Sequence, residues 1–165
     1  MFDFFKLSDD IQITLFLLIA EDVSQYLLGA DPIQKAENAI GNCRRWVEKR
    51  DITGDDLYCL VDSNDENTDI TDMQADAVTK KEIIAWDCII NAIVYTCRKA
   101  YELNKEQLPQ AIEVAVPSLY DETKNEYIQL NSQNVYKIEE IEEVLELKDY
   151  CMSIQELTDW FNQRS

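Results

Sequence analysis

Turn-forming residues are scarce in this chain, and their scarcity limits the folds that are open to it. Glycine and proline each occur three times in 165 residues, well below their usual shares of about 7% and 5%. Few such residues means few turns, which favours long helices over many short strands. Because 46% of the residues are hydrophobic, the chain can bury its own core, and we expect residues 1–165 to form a single all-α domain.

The most apolar stretch of the chain predicts the central element of this fold. Thr79 followed by Glu82 has the pattern of a capping box, which starts a helix. From there to about Tyr101, apolar residues cover most of a helix circumference: Ile83, Ile84, Trp86, Ile89, Ile90, Ile93, Val94, Cys97 and Ala100. A helix that is apolar nearly all round lies inside a fold. We therefore predict an irregular bundle of about six to eight helices around this central apolar helix.

The two helices before it have readable ends. Ser8 is a candidate N-cap for a first helix that we expect to stop at Gly29. Asp31 with Pro32 and Gln34 predicts the start of a second helix, because Asp caps well and Pro suits the first helical position. The other predicted elements are a short segment capped by Thr53, a helix or strand over 110–116, a helix from Ser118 to Leu130, a helix from Val135 to Lys148, and a final helix capped by Ser153 with Glu156.

Acidic residues dominate the charge of the chain. It holds 33 Asp and Glu against 15 Lys and Arg, has no histidine, and carries a formal net charge of −18. So large a charge opposes compaction and usually serves to attract a strongly basic partner, whereas it disfavours nucleic acid. The missing histidine removes the commonest general acid–base group and metal ligand. We therefore expect a binding protein without catalysis or a cofactor.

Several features indicate the cytoplasm. The amino terminus lacks the basic segment of a secretory signal, and the apolar run of residues 11–20 is shorter than the ~20 residues that cross a membrane. None of the cysteines forms a Cys-x-x-Cys pair, so we expect buried free thiols in a reducing compartment rather than a zinc site. These cysteines are Cys43, Cys59, Cys88, Cys97 and Cys151.

Two acidic patterns suggest metal ions. Asp65, Asn67 and Asp69 match the opening of a calcium loop, but Ile70 stands where the loop needs glycine and Asp76 where it needs glutamate. The residues Glu140, Glu143, Glu156 and Asp159 resemble the E-x-x-E…E-x-x-D signature of all-helical nucleoside triphosphate pyrophosphohydrolases, which hold magnesium with carboxylates. A magnesium-dependent enzyme of that class is therefore the alternative function.

Polar residues interrupt the apolar surface of the central helix. Asp87 and Asn91 share one face, and Arg98 lies two turns further on. Polar groups on such a helix are either at the surface or hydrogen-bonded inside. They are therefore either a network that orients neighbouring helices or a contact with a ligand or partner.

Three stretches carry a resemblance to a known family: WVE at residues 46–48, DITGDDLY at 51–58, and IIAWDCIINAIVYT at 83–96, with an acidic loop between the last two. They resemble an all-helical family of bacterial immunity proteins, encoded beside toxins of polymorphic and contact-dependent growth inhibition systems, over roughly residues 8–130. The resemblance implies a cytoplasmic antitoxin that neutralises one cognate toxin.

The acidic residues then become candidates for the docking surface. Many such toxins are nucleases or otherwise basic, and an acidic inhibitor associates with a basic partner at electrostatically steered rates. The predicted toxin-binding residues are Asp55, Asp56, Asp62, Asp65, Glu66, Asp69, Asp72 and Asp76. The second candidate is the acidic helix face of Glu139, Glu142, Glu143 and Glu146.

Overall fold

The computed structural model describes residues 1–62, 70–113 and 118–164. Across these ranges the regular structure is helical, without a strand. The α-helices are α1 (Asp9–Val23), α2 (Ala30–Lys49), α3 (Gly54–Val61), α4 (Ile70–Ala75), α5 (Lys80–Leu103), α6 (Gln110–Glu113), α7 (Leu119–Leu130), α8 (Asn134–Leu147) and α9 (Ile154–Asn162), with short 3₁₀ helices at Phe4–Lys6 and Ser24–Tyr26. The predicted all-α class is confirmed.

Nine α-helices lie in the described ranges, rather than the six to eight that we predicted. The difference comes from α4 and α6, which are only six and four residues long. The sequence predicts an acidic loop between residues 58 and 83, where α4 begins, but Ile70 is 2% exposed and anchors this turn in the core. The segment that we left open as helix or strand contains α6, and residues 114–117 lie outside the described part.

Capping boxes start three helices where the sequence predicts them. Thr79 Oγ1 accepts a hydrogen bond from the backbone N–H of Glu82 at 3.1 Å, and the Glu82 carboxylate accepts one from the backbone N–H of Thr79 at 3.1 Å. Thr53 with Asp56 and Ser153 with Glu156 form the same reciprocal pair. Each box satisfies N–H groups that the first helical turn leaves without a partner.

The connection between α1 and α2 differs from the prediction. The helix α1 begins after Ser8 as expected, but it ends at Val23 rather than near Gly29. There Ser24 Oγ donates to the carbonyl of Ala20 at 2.8 Å, and the chain tightens into a 3₁₀ turn. Gly29, at a φ of 100°, is then the N-cap of α2, so Asp31 lies inside the first turn instead of capping it.

The core is built around α5, as predicted. It packs against α1, α2, α3, α4, α6 and α7, and Trp86 is 1% exposed. The sequence did not indicate that α1 is equally central: residues 11–20 are all buried, and α1 packs against α2, α5, α7 and α9. Among the helices of the described ranges, none is long and apolar enough to cross a membrane.

The cysteines are free, but not all of them are buried. Cys43, Cys88 and Cys97 lie in the core, whereas Cys59 and Cys151 are exposed, so the expectation of five buried thiols was wrong for two. Cys59 lies on the exposed side of α3, and Cys151 in the turn between α8 and α9. Burial raises the pKa of Cys43 to about 12, which keeps that thiol protonated and unreactive.

Candidate functional site

A hydrogen bond between α3 and α4 brings predicted site residues together. Thr71 Oγ1 donates to the carbonyl oxygen of Val61 at 3.1 Å. Since Asp62 follows Val61 and Asp72 follows Thr71, the two carboxylates belong to the same corner of the fold. Asp76 lies one turn further, its backbone N–H donating to the carbonyl of Asp72 at 3.0 Å. We call Asp62, Asp72 and Asp76, all of them exposed, the acidic corner.

Among the described residues, no basic side chain forms an ion pair with the acidic corner. No Lys or Arg occurs in the sequence between Arg50 and Lys80, and in the described ranges no ion pair reaches any of the three carboxylates. Asp62 accepts a hydrogen bond from the Tyr58 hydroxyl at 2.8 Å, which leaves its charge in place. The corner therefore presents to solvent three negative charges that no described basic side chain pairs with.

Asp55 and Asp56 lie apart from this corner, at the opposite end of α3, about 10 Å away along the helix axis. Both carboxylates have partners within the fold. Asp56 closes the capping box with Thr53, and Asp55 accepts a hydrogen bond from the Tyr101 hydroxyl. The pKa of Tyr101 is raised by burial and by Asp55, so the hydroxyl stays protonated and donates. The remaining predicted residues, Asp65, Glu66 and Asp69, lie outside the described residues.

The second candidate surface, on α8, is partly compensated by its surroundings. Glu142 is half-buried and accepts hydrogen bonds from Lys124 Nζ at 2.7 Å and from the Tyr120 hydroxyl at 3.3 Å. Glu146 forms an ion pair with the amino group of Met1 at 3.3 Å. Glu139 and Glu143 are exposed. These glutamates line a groove of about 870 Å³ between α8, α7 and residues 1–6.

Three of the four acids of the alternative, magnesium-dependent function take part in contacts along α8 and α9. Glu140 forms an ion pair with Arg164 at 3.2 Å, Glu156 closes the capping box of α9, and Asp159 accepts a hydrogen bond from Gln155 at 2.8 Å. These contacts give three of the four acids a role in holding the carboxyl-terminal helices. Within the part of the chain that is described, no group of three or more acidic or cysteine side chains is arranged to hold a metal ion.

The polar residues on α5 join neighbouring helices. Asn91 Nδ2 donates to Thr123 Oγ1 on α7 at 3.1 Å, and the Asp87 carboxylate accepts a hydrogen bond from the Gln74 side chain on α4. Arg98 forms an ion pair with Glu102 at 2.8 Å, one turn along α5. Of the two interpretations that the sequence left open, the contacts of Asn91 and Asp87 are those of a network that orients helices.

The sequence analysis missed two features. Glu126 on α7 is half-buried beside Cys88, and burial together with the nearby carboxylate of Asp87 raises its pKa to about 7. An apolar cleft also opens next to Asp76, between the start of α2, the end of α4 and the start of α5. Neither has a local sequence signal, since each combines residues from separate segments.

Comparison with protein families finds a match over most of the chain. The family described as immunity protein Imm6 matches residues 11–144. This range includes the acidic corner and all of α5, and it ends within α8. No curated protein and no solved structure matches the chain.

Proposed function

This chain belongs to the Imm6 family of immunity proteins, and from that membership we propose that it binds and neutralises one cognate bacterial toxin in the cytoplasm. The observation that carries the proposal is the family match over residues 11–144, which covers most of the helical core. The toxin belongs to a polymorphic or contact-dependent growth inhibition system, and the immunity protein protects the cell that makes it.

The charge of the chain supports a basic toxin, such as a nuclease domain that grips phosphates. With a net charge of −18, the protein attracts a basic partner over the Debye length of ~8 Å at physiological salt. Electrostatic steering of this kind raises association rates to about 10⁸ M⁻¹s⁻¹. Fast capture serves an inhibitor that must bind its toxin before the toxin acts.

The docking surface of this proposal consists of the eight predicted carboxylates, among which the acidic corner has the most structural support. Asp62, Asp72 and Asp76 support that choice because they are exposed and have no basic partner among the described residues. The α8 surface is the second candidate, since Glu142 and Glu146 already have cationic partners. An uncompensated carboxylate contributes more to long-range attraction than one already paired.

Toxin binding requires no catalytic group, metal ion or cofactor in this protein. The competing function, magnesium-dependent hydrolysis of nucleoside triphosphates, requires the protein to be an enzyme. Incubation of the protein with nucleoside triphosphates and magnesium should give no turnover. Turnover that disappears in Glu140→Gln or Glu156→Gln would replace the present proposal with the enzymatic one.

Binding kinetics test the role of the acidic corner. We would measure surface plasmon resonance against the toxin domain encoded beside this chain, at several salt concentrations. Neutralising the corner with Asp62→Asn, Asp72→Asn and Asp76→Asn should slow association about tenfold at low salt, with little change in dissociation, because exposed charges act mainly on the encounter rate. The difference should shrink as salt rises.

The matched control removes the same number of charges from α8, through Glu139→Gln, Glu143→Gln and Glu146→Gln. It should slow association much less, since only the net charge changes. Equal slowing in both variants would mean that net charge alone steers the toxin, and greater slowing in the control would assign the docking surface to α8. Thermal melts of both variants should stay near the parent, because exposed acids and the surface ion pair of Glu146 contribute little to stability.

A further inference from the structure

An apolar cleft of about 340 Å³ opens beside the acidic corner. Three segments form it: the turn before α2, the end of α4, and the start of α5. Its apolar lining consists of Leu28, Pro32, Met73, Ala77, Val78 and Trp86. Trp86, at 1% exposure, forms the floor, so the cleft reaches down to the central helix.

The mouth of the cleft holds two apolar side chains in water. Val78 is 89% exposed and Leu28 is 60% exposed. Both stand directly before a helix start: Gly29 caps α2 directly after Leu28, and the capping box of α5 begins at Thr79 directly after Val78. Apolar side chains that a fold fixes in an exposed position, around a preformed cleft, are typical of a binding site for a partner.

Two exposed carboxylates stand at this apolar mouth. Asp31 and Asp76 line the cleft and are exposed, and Asp76 also belongs to the acidic corner, so the two surfaces are continuous. Glu82 lines it too, but its carboxylate is engaged with Thr79. The basic residue Lys81 nearby lies over the ring of Tyr26, 5.5 Å from its centroid. A partner segment that complements this cleft would carry an apolar side chain flanked by positively charged residues.

We propose that this cleft takes an apolar anchor side chain, aliphatic or aromatic, from a basic segment of the toxin. The inference rests on the proposed function and adds a division of tasks to it. The acidic corner accelerates the encounter, and the cleft then buries the anchor and slows dissociation. Interfaces commonly combine a desolvated apolar centre with a charged rim in this way.

The test measures dissociation from the toxin domain after Leu28→Ser and Val78→Ser are combined. Dissociation should become at least tenfold faster, while the association rate stays within about twofold, because apolar anchors act after the encounter. The matched control is Leu103→Ser at the opposite end of α5, where the side chain is 60% exposed. It should bind like the parent. A milder pair, Leu28→Ala with Val78→Ala, repeats the test with less risk to folding.

Each other result overturns the proposal. If the parent binds the toxin and the cleft variant binds equally well, the cleft is not the anchor site although the proposed function stands. If the control loses binding as much as the cleft variant, the effect is one of general surface hydrophobicity. If sedimentation shows a dimer that the cleft variant abolishes, the occupant is a second copy of this chain. If the parent does not bind the toxin, the proposed function and the cleft both fail.

Discussion

Removing one hydroxyl group from the core gives a quantitative test of the packing. The Tyr95 hydroxyl on α5 donates to Oε1 of Gln12 on α1. The amide of Gln12 in turn donates to the carbonyls of Phe4 at 3.3 Å and Leu7 at 3.0 Å. Gln12 is 3% exposed and Tyr95 is 5% exposed, so water cannot replace the lost donor. This bridge joins the two central helices to the amino-terminal segment.

Tyr95→Phe should lower the free energy of unfolding by about 2 kcal/mol, because it leaves Gln12 Oε1 buried without a donor. The ring itself is retained, and with it the stacking on Phe16, whose centroid is 4.5 Å away. For a domain of this size the loss corresponds to a fall in Tm of about 4–8 °C. Tyr136→Phe is the matched control, since Tyr136 is 60% exposed, and it should change stability by less than about 0.5 kcal/mol.

Urea unfolding followed by circular dichroism measures both variants. A Tyr95→Phe protein as stable as Tyr136→Phe would refute the buried bridge. A double-mutant cycle with Gln12→Met sharpens the test, because each single change strands the other partner of the bond. The double variant should lose about 1–2 kcal/mol less than the sum of the two single losses. Strict additivity would mean that the two side chains do not interact.

Two further predictions concern stability. Gly54→Ala should lower the free energy of unfolding by about 1–3 kcal/mol, because the new Cβ would lie 3.0 Å from ring atoms of Tyr101. Gly41→Ala in α2, where a Cβ would have no atom within 4 Å, should instead raise it by about 0.5–1 kcal/mol. Thermal melts that rank the two variants otherwise would contradict this. Since burial raises the pKa of Glu126 from 4.5 to about 7, its charged form destabilises the fold. Because solvent screens a half-buried charge, Glu126→Gln should raise the free energy of unfolding by only about 1 kcal/mol at pH 8. This gain in stability should disappear as the pH falls from 7 to 4.5. Unfolding curves at several pH values measure it, with Glu48→Gln, at an exposed position, as the control. A gain that stays constant with pH would exclude the proton linkage.

The parts of the fold that sequence predicted are those with local signals. Capping boxes at Thr53, Thr79 and Ser153 join residues three apart, so they are visible in the sequence and their helices start where expected. The end of α1 was missed because Ser24 tightens the chain well before the glycine that usually marks a helix end. The anchoring role of Ile70 was hidden by the acidic residues around it.

The candidate site was predictable in its charge but not in its arrangement. The run without Lys or Arg that includes Asp62, Asp72 and Asp76 is apparent in the sequence. Which carboxylates are compensated depends on residues far along the chain, such as Lys124, which pairs with Glu142. Asp55 likewise accepts a hydrogen bond from Tyr101, which lies on another helix 46 positions away in the sequence. Sequence spacing alone cannot distinguish such engaged acids from free ones.

Growth protection tests the central claim most directly. Cells that produce the cognate toxin in the cytoplasm from an inducible gene would also produce this protein, with a toxin from an unrelated system as the specificity control. The account predicts growth at the toxin-free rate with the cognate toxin, and no protection from the unrelated one. Growth arrest by the cognate toxin, in cells that contain the folded protein in excess, would contradict the claim that this chain is its immunity protein.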